Sequence, residues 1–176
     1  IQMMIELDLS ILFAGVVAGA APIVLAALGE TITEKSGIIN LSLDGSIQLA
    51  AMVAFVAAYS LESAMAGLLL GMLAGALIAL LIIVANIELR QDQVAVGFVL
   101  TLLAADLAQF LGQDYTRIPG PTFSTWPVPL LSDIPILGEI FFNHNPLVYF
   151  SFILILGTWF VMYRTRWGLS LRAVGE

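Results

Sequence analysis

The stretch that decides the fold is Ser63–Ile87, SAMAGLLLGMLAGALIALLIIVANI, which contains no charged residue. A bilayer core about 30 Å thick requires roughly 20 mostly apolar residues in helical form. Backbone amides inside lipid must be paired, and a helix pairs them within its own segment. This stretch is therefore predicted to be a transmembrane helix.

The composition of the whole chain is that of a membrane protein. Of its 176 residues, 60% are hydrophobic and 11% are charged, and the mean hydropathy is +1.02. Soluble domains contain roughly 45–50% apolar and about 25% charged residues. The chain has no cysteine, which excludes disulfides and thiolate metal ligands. Its net charge of −7 argues against a nucleic-acid partner.

Further apolar stretches bring the prediction to five spans, with Asp44 as the one charge in the second and Asp106 as the one charge in the fourth. The predicted spans are Ile11–Leu28, Leu41–Leu61, Ser63–Ile87, Gln93–Gln113 and Asn145–Tyr163. The first could instead be a signal peptide, but Glu6 and Asp8 precede it where a basic segment would be expected. The predicted fold class is all-α, a polytopic integral membrane helical bundle.

A long polar connection, Asp114–His144, separates the last two spans. It contains five prolines: Pro119, Pro121, Pro127, Pro129 and Pro135. Proline lacks the amide that a helix interior uses, so these residues exclude a regular transmembrane helix. We expect a proline-rich, ordered loop outside the membrane, with short helical pieces.

The basic residues predict the orientation, because cytoplasmic loops carry an excess of lysine and arginine. With the C-terminal end inside, five of the six basic residues are cytoplasmic: Lys35, Arg90, Arg164, Arg166 and Arg172. Only Arg117 is then outside. The N-terminus and the proline-rich loop are therefore predicted to be outside.

Small residues recur every four positions in the third span, at Gly67, Gly71 and Gly75. Such a stripe lies on one helix face and lets another backbone approach closely. Gly15 and Gly19 make a weaker copy in the first span. Ordinary helix packing explains both patterns without a chemical role.

The segment that joins the first two spans is too apolar after Gly37 for a plain loop. Gly37 and Gly45 give it backbone freedom, and Asn40, Ser42 and Asp44 supply short polar side chains. A broken or re-entrant helix start on a translocation path would have this composition. Alternatively, Asp44 caps the second helix and complements its dipole.

Four polar residues are the candidate substrate path, because a polar group that faces lipid unpaired costs several kcal/mol. They are Asn40, Asp44, Thr101 and Asp106. Asp106 also keeps a second function class open, a secondary transporter or channel with an intramembrane coupling group. An integral-membrane enzyme is disfavoured, because the single histidine, His144, lies in a loop without a carboxylate cluster. No catalytic residue, metal site or cofactor is predicted.

Three stretches together resemble bacterial ABC-transporter permeases of the ribose/branched-chain amino acid superfamily. Leu28–Gly45, LGETITEKSGIINLSLDG, is similar to the nucleoside and simple-sugar branch, L-G-x-x-x-x-E-[RK]-S-G-[IV]-[IV]-N-[IL]-x-[LV]-E-G, with Asp44 in place of glutamate. Tyr163–Glu176, YRTRWGLSLRAVGE, resembles the cytoplasmic coupling segment, T-x-x-G-L-x-[LI]-R-A-x-G-E. Ser132–Gly138 and Asn145–Tyr149 also resemble this branch.

The resemblance implies a permease subunit of an ATP-driven importer for nucleosides, simple sugars or related small solutes, in a bacterial-type cell (inner or plasma) membrane. It implies three protein partners: a cytoplasmic ABC ATPase, a second permease subunit in a homo- or heterodimer, and an extracellular or periplasmic solute-binding protein. Members of the family continue beyond the coupling segment. Residues 1–176 are therefore expected to be a single transmembrane domain, the N-terminal part of a permease cut within that segment.

The chain contains no G-x-x-x-x-G-K-[ST] phosphate loop, so we expect ATP hydrolysis on a partner. The resemblance assigns the ATPase contact to Arg164, Arg166, Gly168, Leu169, Arg172, Gly175 and Glu176. On the residues alone, Gly168 can mark the turn out of the fifth span, and Leu169, Leu171 and Val174 can form an apolar edge. The alternative is that the arginines only anchor the helix among lipid headgroups.

Overall fold

The structure is a computed structural model that describes the backbone of residues 2–176 and the side chains from Leu9 onward. It contains seven α-helices in this range and no strand. The helices are α1 (Gln2–Lys35), α2 (Leu43–Ser60), α3 (Ala64–Ile83), α4 (Gln93–Gly112), α5 (Leu137–Phe141), α6 (Pro146–Arg164) and α7 (Arg166–Gly175). A π-helical turn, Val84–Glu88, extends α3, and a 3₁₀ turn, Gln113–Tyr115, extends α4. The predicted all-α class is confirmed.

Five of these helices are long and apolar enough to cross a membrane, as predicted. The predicted and observed ends of the second, third, fourth and fifth spans agree within about two residues. The first span differs, because α1 continues past Glu30 to Lys35. Apolar length marks the part of a helix that lipid can surround, and α1 extends beyond that part.

The chain divides into two compact units. The first consists of Ile1–Ile32 and Phe123–Val174, and the second of Thr33–Thr122 and Gly175–Glu176. The second unit contains α2, α3 and α4, and its small buried cluster is formed by Ile78, Ile82 and Ala104.

The glycine stripe of α3 packs against α2 within the second unit, as its spacing predicts. A Cβ atom built on Gly67 would lie 2.5 Å from the Ala54 carbonyl oxygen, and one on Gly71 would lie 2.8 Å from the Ala54 Cβ. Gly75 and the pair Gly15 and Gly19 have nothing within 4 Å of such an atom. The stripe therefore works as a packing face over two of its three glycines.

The proline-rich segment of the first unit is ordered by backbone hydrogen bonds. The amide of Trp126 donates to the His144 carbonyl at 2.8 Å, and the amide of Val128 donates to Phe142 at 3.0 Å. The short helix α5 lies within this segment. Asn145 then begins α6, because its Oδ1 accepts hydrogen bonds from the amides of Leu147 and Val148.

Candidate functional site: a polar cleft between two membrane helices

Helices α2 and α4 run parallel to each other in the second unit. Contacts advance in the same direction along both: Leu41, just before α2, meets Gly97, then Gly45 meets Thr101, and Met52 meets Gly112. The closest approach is at Gly45, where a Cβ atom would lie 2.3 Å from the Thr101 carbonyl oxygen. Glycine is required there because α4 backbone occupies the space of a side chain.

Two of the predicted path residues hold this crossing together. The Thr101 hydroxyl donates to the Leu41 carbonyl oxygen at 2.7 Å. The Asn40 Oδ1 accepts from the amide of Ser42 at 3.1 Å and from its hydroxyl at 2.7 Å, and Ser42 is completely buried. Asn40 and Thr101 thus satisfy backbone and hydroxyl groups in the non-helical segment before α2.

Asp44 lies in the first turn of α2, whose N-cap residue is Ser42. A carboxylate in this turn is favourable for the helix dipole, although Asp44 does not cap the helix. Its Oδ2 accepts a hydrogen bond from the Gln48 amide nitrogen, one turn further along, at 3.2 Å. The side chain is exposed, so a carboxylate and an amide lie together at the surface of a membrane-length helix.

Beyond the crossing, α2, α4 and the turn that follows α4 line an open cleft of about 710 Å³. This volume is within the range of roughly 300–1,000 Å³ that is typical of small-molecule sites. Asp106 lines the cleft, and Gln48, Gln109 and Gln113 line it as well. The structure therefore places Asp106 among amide side chains on two spans.

The cleft has an aromatic wall on its α2 side. Phe55 lines it and stacks on Tyr59, with ring centroids 6.4 Å apart and an interplanar angle of 10°. Tyr115 meets both rings edge-on, at 6.5 Å from Phe55 and 6.0 Å from Tyr59. A Cβ atom on Gly120 would lie 2.7 Å from the Phe55 ring, so the backbone of the following loop also restricts this ring.

Sequence reasoning missed Gln48 and Gln109. Both are polar residues within predicted spans, and each lies three or four positions from a predicted path residue: Gln48 from Asp44, and Gln109 from Asp106. Residues three and four apart share a helix face. The spacing was therefore a visible signal for both.

The segment predicted to couple to an ATPase is the helix α7. The helical conformation is interrupted at Thr165, whose φ of −115° and ψ of 157° are extended. Gly168 was predicted to mark this turn, but it lies inside α7. A Cβ atom there would be 2.3 Å from the Val161 carbonyl oxygen. The glycine allows α7 to fold closely against the end of α6.

The arginines of this region lie over aromatic rings. The Arg164 guanidinium is 5.6 Å from the Trp159 ring centroid, and that of Arg172 is 5.1 Å from the Tyr163 ring centroid. The Arg172 Nε also donates to the Gly168 carbonyl at 3.4 Å. Arg172 therefore connects α7 to α6 through its contact with Tyr163, whereas Arg166 is exposed.

The exposed apolar face of α7 differs from the predicted edge. Trp167, Leu171 and Val174 follow the helical spacing of one face, and Trp167 and Val174 are 74% and 79% exposed. Leu169 is also exposed, but it lies on another side of the helix. Trp167, which was not among the predicted coupling residues, belongs to this face by its position.

The last two predicted coupling residues belong to the second unit. A Cβ atom built on Gly175 would lie 2.5 Å from the Lys35 carbonyl oxygen and 2.8 Å from the Gly37 nitrogen. Gly37 has a φ of +82°, a left-handed conformation that favours glycine. Glu176 follows as an exposed residue. Among the residues whose side chains are described, no cluster of histidine and carboxylate groups could hold a metal ion.

Three curated relatives are similar to the chain. It is 34% identical over 179 residues to the nucleoside ABC transporter permease protein NupC of Lactococcus lactis, covering 96% of this chain and 56% of the relative. It is 36% identical over 184 residues to the guanosine ABC transporter permease protein NupQ of Bacillus subtilis, with the same coverage. The putative glucose ABC transporter permease protein TsgC13 of Haloferax volcanii is 32% identical, over 91% of this chain and 50% of the relative.

The chain spans about half the length of these relatives. No solved structure matches it. Residues 12–176 match the family described as the permease component of the branched-chain amino acid transport system. With five membrane-length helices and a family match over nearly its whole length, the chain belongs to this family of transport-system permeases.

Proposed function

We propose that the chain forms part of the membrane-spanning permease subunit of an ATP-driven importer for nucleosides, simple sugars or related small solutes. The names of its relatives support this range of solutes, since they specify nucleoside, guanosine and glucose transporters. The protein is then a transport subunit and not an enzyme, and it needs no cofactor of its own.

The observation that carries this proposal is the cleft between α2 and α4. Gln48, Asp106 and Gln109 are exposed on helices that are otherwise suited to lipid. A polar side chain in contact with hydrocarbon is costly, so such residues face protein or a water-filled path. Asp44 is hydrogen-bonded to Gln48 and extends this row of polar side chains toward the start of α2. Asn40 and Thr101 form the hydrogen bonds at the crossing of α2 and α4, next to Asp44.

The energy source is proposed to be a cytoplasmic ABC ATPase that docks on α7. Trp167 and Val174 give α7 an exposed apolar face, and Arg166 and Glu176 supply charges for hydrogen bonds to the partner. Gly168 and Arg172 would set the position of the helix. A second permease subunit and an external solute-binding protein complete the assembly, and lipid surrounds the remaining surface.

The proposed orientation places the N-terminus outside and α7 in the cytoplasm, in a bacterial-type cell membrane. The carboxyl ends of α2 and α4 then face the outside, and the α4 residues that line the cleft, Ala105–Gly112, lie toward that end of the helix. The distribution of lysine and arginine supports this direction.

The test is uptake by the full-length permease that contains this chain, reconstituted in proteoliposomes with its ATPase, its second permease subunit and its solute-binding protein. We expect accumulation of radiolabelled guanosine or glucose only when ATP is present on the ATPase side. A variant ATPase without its phosphate-binding lysine is the control. Accumulation that persists with this variant, driven by an ion gradient, would favour the secondary transporter instead.

A further inference from the structure

The polar and apolar groups of the cleft are unevenly distributed. On α4, Ala105, Ala108 and Gly112 line it, and their spacing of three and four residues forms one stripe of small side chains. On α2, Met52, Phe55 and Val56 line the opposite side. A ligand in the cleft therefore contacts apolar side chains of both helices.

Hydrogen-bonding side chains line the rest of the cleft: Gln48, Asp106, Gln109, Gln113, Tyr115 and Thr116. The Gln109 amide offers both a donor and an acceptor, and it has no hydrogen-bond partner among the described residues. Gln48 uses one amide hydrogen on Asp44 and keeps its carbonyl oxygen. Asp106 adds a carboxylate. These groups suit a ligand with a short polar edge that both donates and accepts.

The Phe55 ring is held in place before any ligand arrives. Tyr59 stacks on it, Tyr115 meets it edge-on, and Gly120 lies against its rim. A rigid aromatic surface loses little conformational freedom when a ligand stacks on it. A nucleic-acid base binds favourably when it stacks on an aromatic side chain, because every base has an apolar face.

We propose that this cleft is a solute-binding site that recognises the flat heterocyclic base of a nucleoside rather than its sugar. A base has two apolar faces and a hydrogen-bonding edge, which matches the apolar side chains of both helices and the amide and carboxylate side chains beside them. A free sugar carries hydroxyls around its ring and would leave several of them unpaired against Met52, Val56 and the α4 stripe. Phe55 and Gln109 are the specificity-determining residues. This inference rests on the proposed function, because the solute must be one that the permease carries.

The test uses cysteine protection, because residues 1–176 contain no cysteine. Thr116→Cys, at an exposed position that lines the cleft, is introduced into the full-length permease, with any cysteines outside residues 1–176 replaced by serine, and the protein is reconstituted with its partner subunits in proteoliposomes, in which labelling and ATP-driven uptake are both measured. The rate of reaction with a water-soluble maleimide is measured with adenosine, with guanosine, with free adenine and with ribose. Asp133→Cys, at an exposed position that does not line the cleft, is the control.

We expect a nucleoside and its free base to slow labelling at position 116 at least about fivefold, and ribose to leave it unchanged. Labelling at position 133 should not respond to any of them. Equal protection by ribose and adenosine would overturn recognition of the base. An absence of protection, in an assembly that still imports nucleosides with ATP, would overturn the site and leave the proposed function intact. Absence of both protection and ATP-driven uptake would overturn both.

A second variant tests the aromatic wall without a thiol. Phe55→Leu should raise the half-saturating nucleoside concentration about tenfold, as expected for the loss of one stacking surface. Phe110→Leu is the matched control, because Phe110 lies on α4, is 71% exposed and does not line the cleft. Equal effects of the two variants would contradict a specific role for Phe55.

Discussion

Gly45 of α2 lies so close to Thr101 of α4 that a single methyl group would not fit between them. A Cβ atom at position 45 would be 2.3 Å from the Thr101 carbonyl oxygen. Gly45→Ala must therefore separate the two helices, and we expect a loss of about 1–3 kcal/mol in stability. Thermal unfolding in detergent measures the change. Gly75→Ala is the matched control, because nothing lies within 4 Å of a Cβ there. An unchanged melting temperature for Gly45→Ala would show that the crossing is looser than this contact implies.

The orientation of the chain can be read by single-cysteine labelling. With Asp133→Cys and Ser170→Cys, an impermeant maleimide should label position 133 in intact cells and position 170 only after permeabilisation. Both residues are exposed, so access to reagent and not burial decides the outcome. The reverse pattern would invert the proposed topology.

Asp106 should affect transport more than membrane insertion. Its carboxylate lines the cleft, and a hydrogen bond to a charged group is worth about 1.5–3 kcal/mol. Asp106→Asn should therefore raise the half-saturating solute concentration about tenfold or more, with normal abundance in the membrane. Asp114→Asn, outside the cleft lining, serves as the control. Unaltered uptake kinetics in Asp106→Asn would remove Asp106 from the path.

The apolar face of α7 should be required for binding of the ATPase. Val174→Asp places a charge on the exposed face that includes Trp167, whereas Ala173→Asp places the same charge on another side of the helix. We expect co-purification of the ATPase to fall at least about fivefold for the first variant and to remain normal for the second. Normal co-purification and uptake with Val174→Asp would leave this face as a contact with lipid headgroups.

Gly168 should act by positioning α7. A Cβ atom there would lie 2.3 Å from the Val161 carbonyl oxygen, so Gly168→Ala must move α7 away from the end of α6. We expect normal insertion with reduced co-purification of the ATPase and reduced uptake. Gly157→Ala in α6 is the control, because its Cβ would meet nothing within 4 Å. Equal behaviour of the two variants would argue against a role for the tight packing at Gly168.

The spans were predictable because a helix that crosses lipid requires a long, mostly apolar run of residues. Long apolar runs such as Ser63–Ile87 give the helices directly, and Asp92 and Asn145 mark two starts by accepting hydrogen bonds from first-turn amides. The end of α1 was not predictable from hydropathy, because a helix can continue through charged residues once it leaves the hydrocarbon.

The cleft was only half predictable. Asp44 and Asp106 stand out as charges in apolar runs, and their helical spacing points to Gln48 and Gln109. The packing of α2 against α4 depends on the close contact between Gly45 and Thr101. The glycine is visible in the sequence, but the sequence does not show that Thr101 is the residue it contacts. The role of Phe55 depends on Tyr115 and Gly120, which lie far along the chain and give no periodic signal.

Thr165 is the only residue between α6 and α7, and its side chain joins both helices. Its hydroxyl donates to the Val161 carbonyl at 2.6 Å and accepts from the Gly168 amide at 3.1 Å. A one-residue connection that is hydrogen-bonded on both sides restricts the movement of one helix relative to the other. We therefore expect a displacement of α7 to be transmitted to α6, because the single residue between the two helices is hydrogen-bonded to both of them.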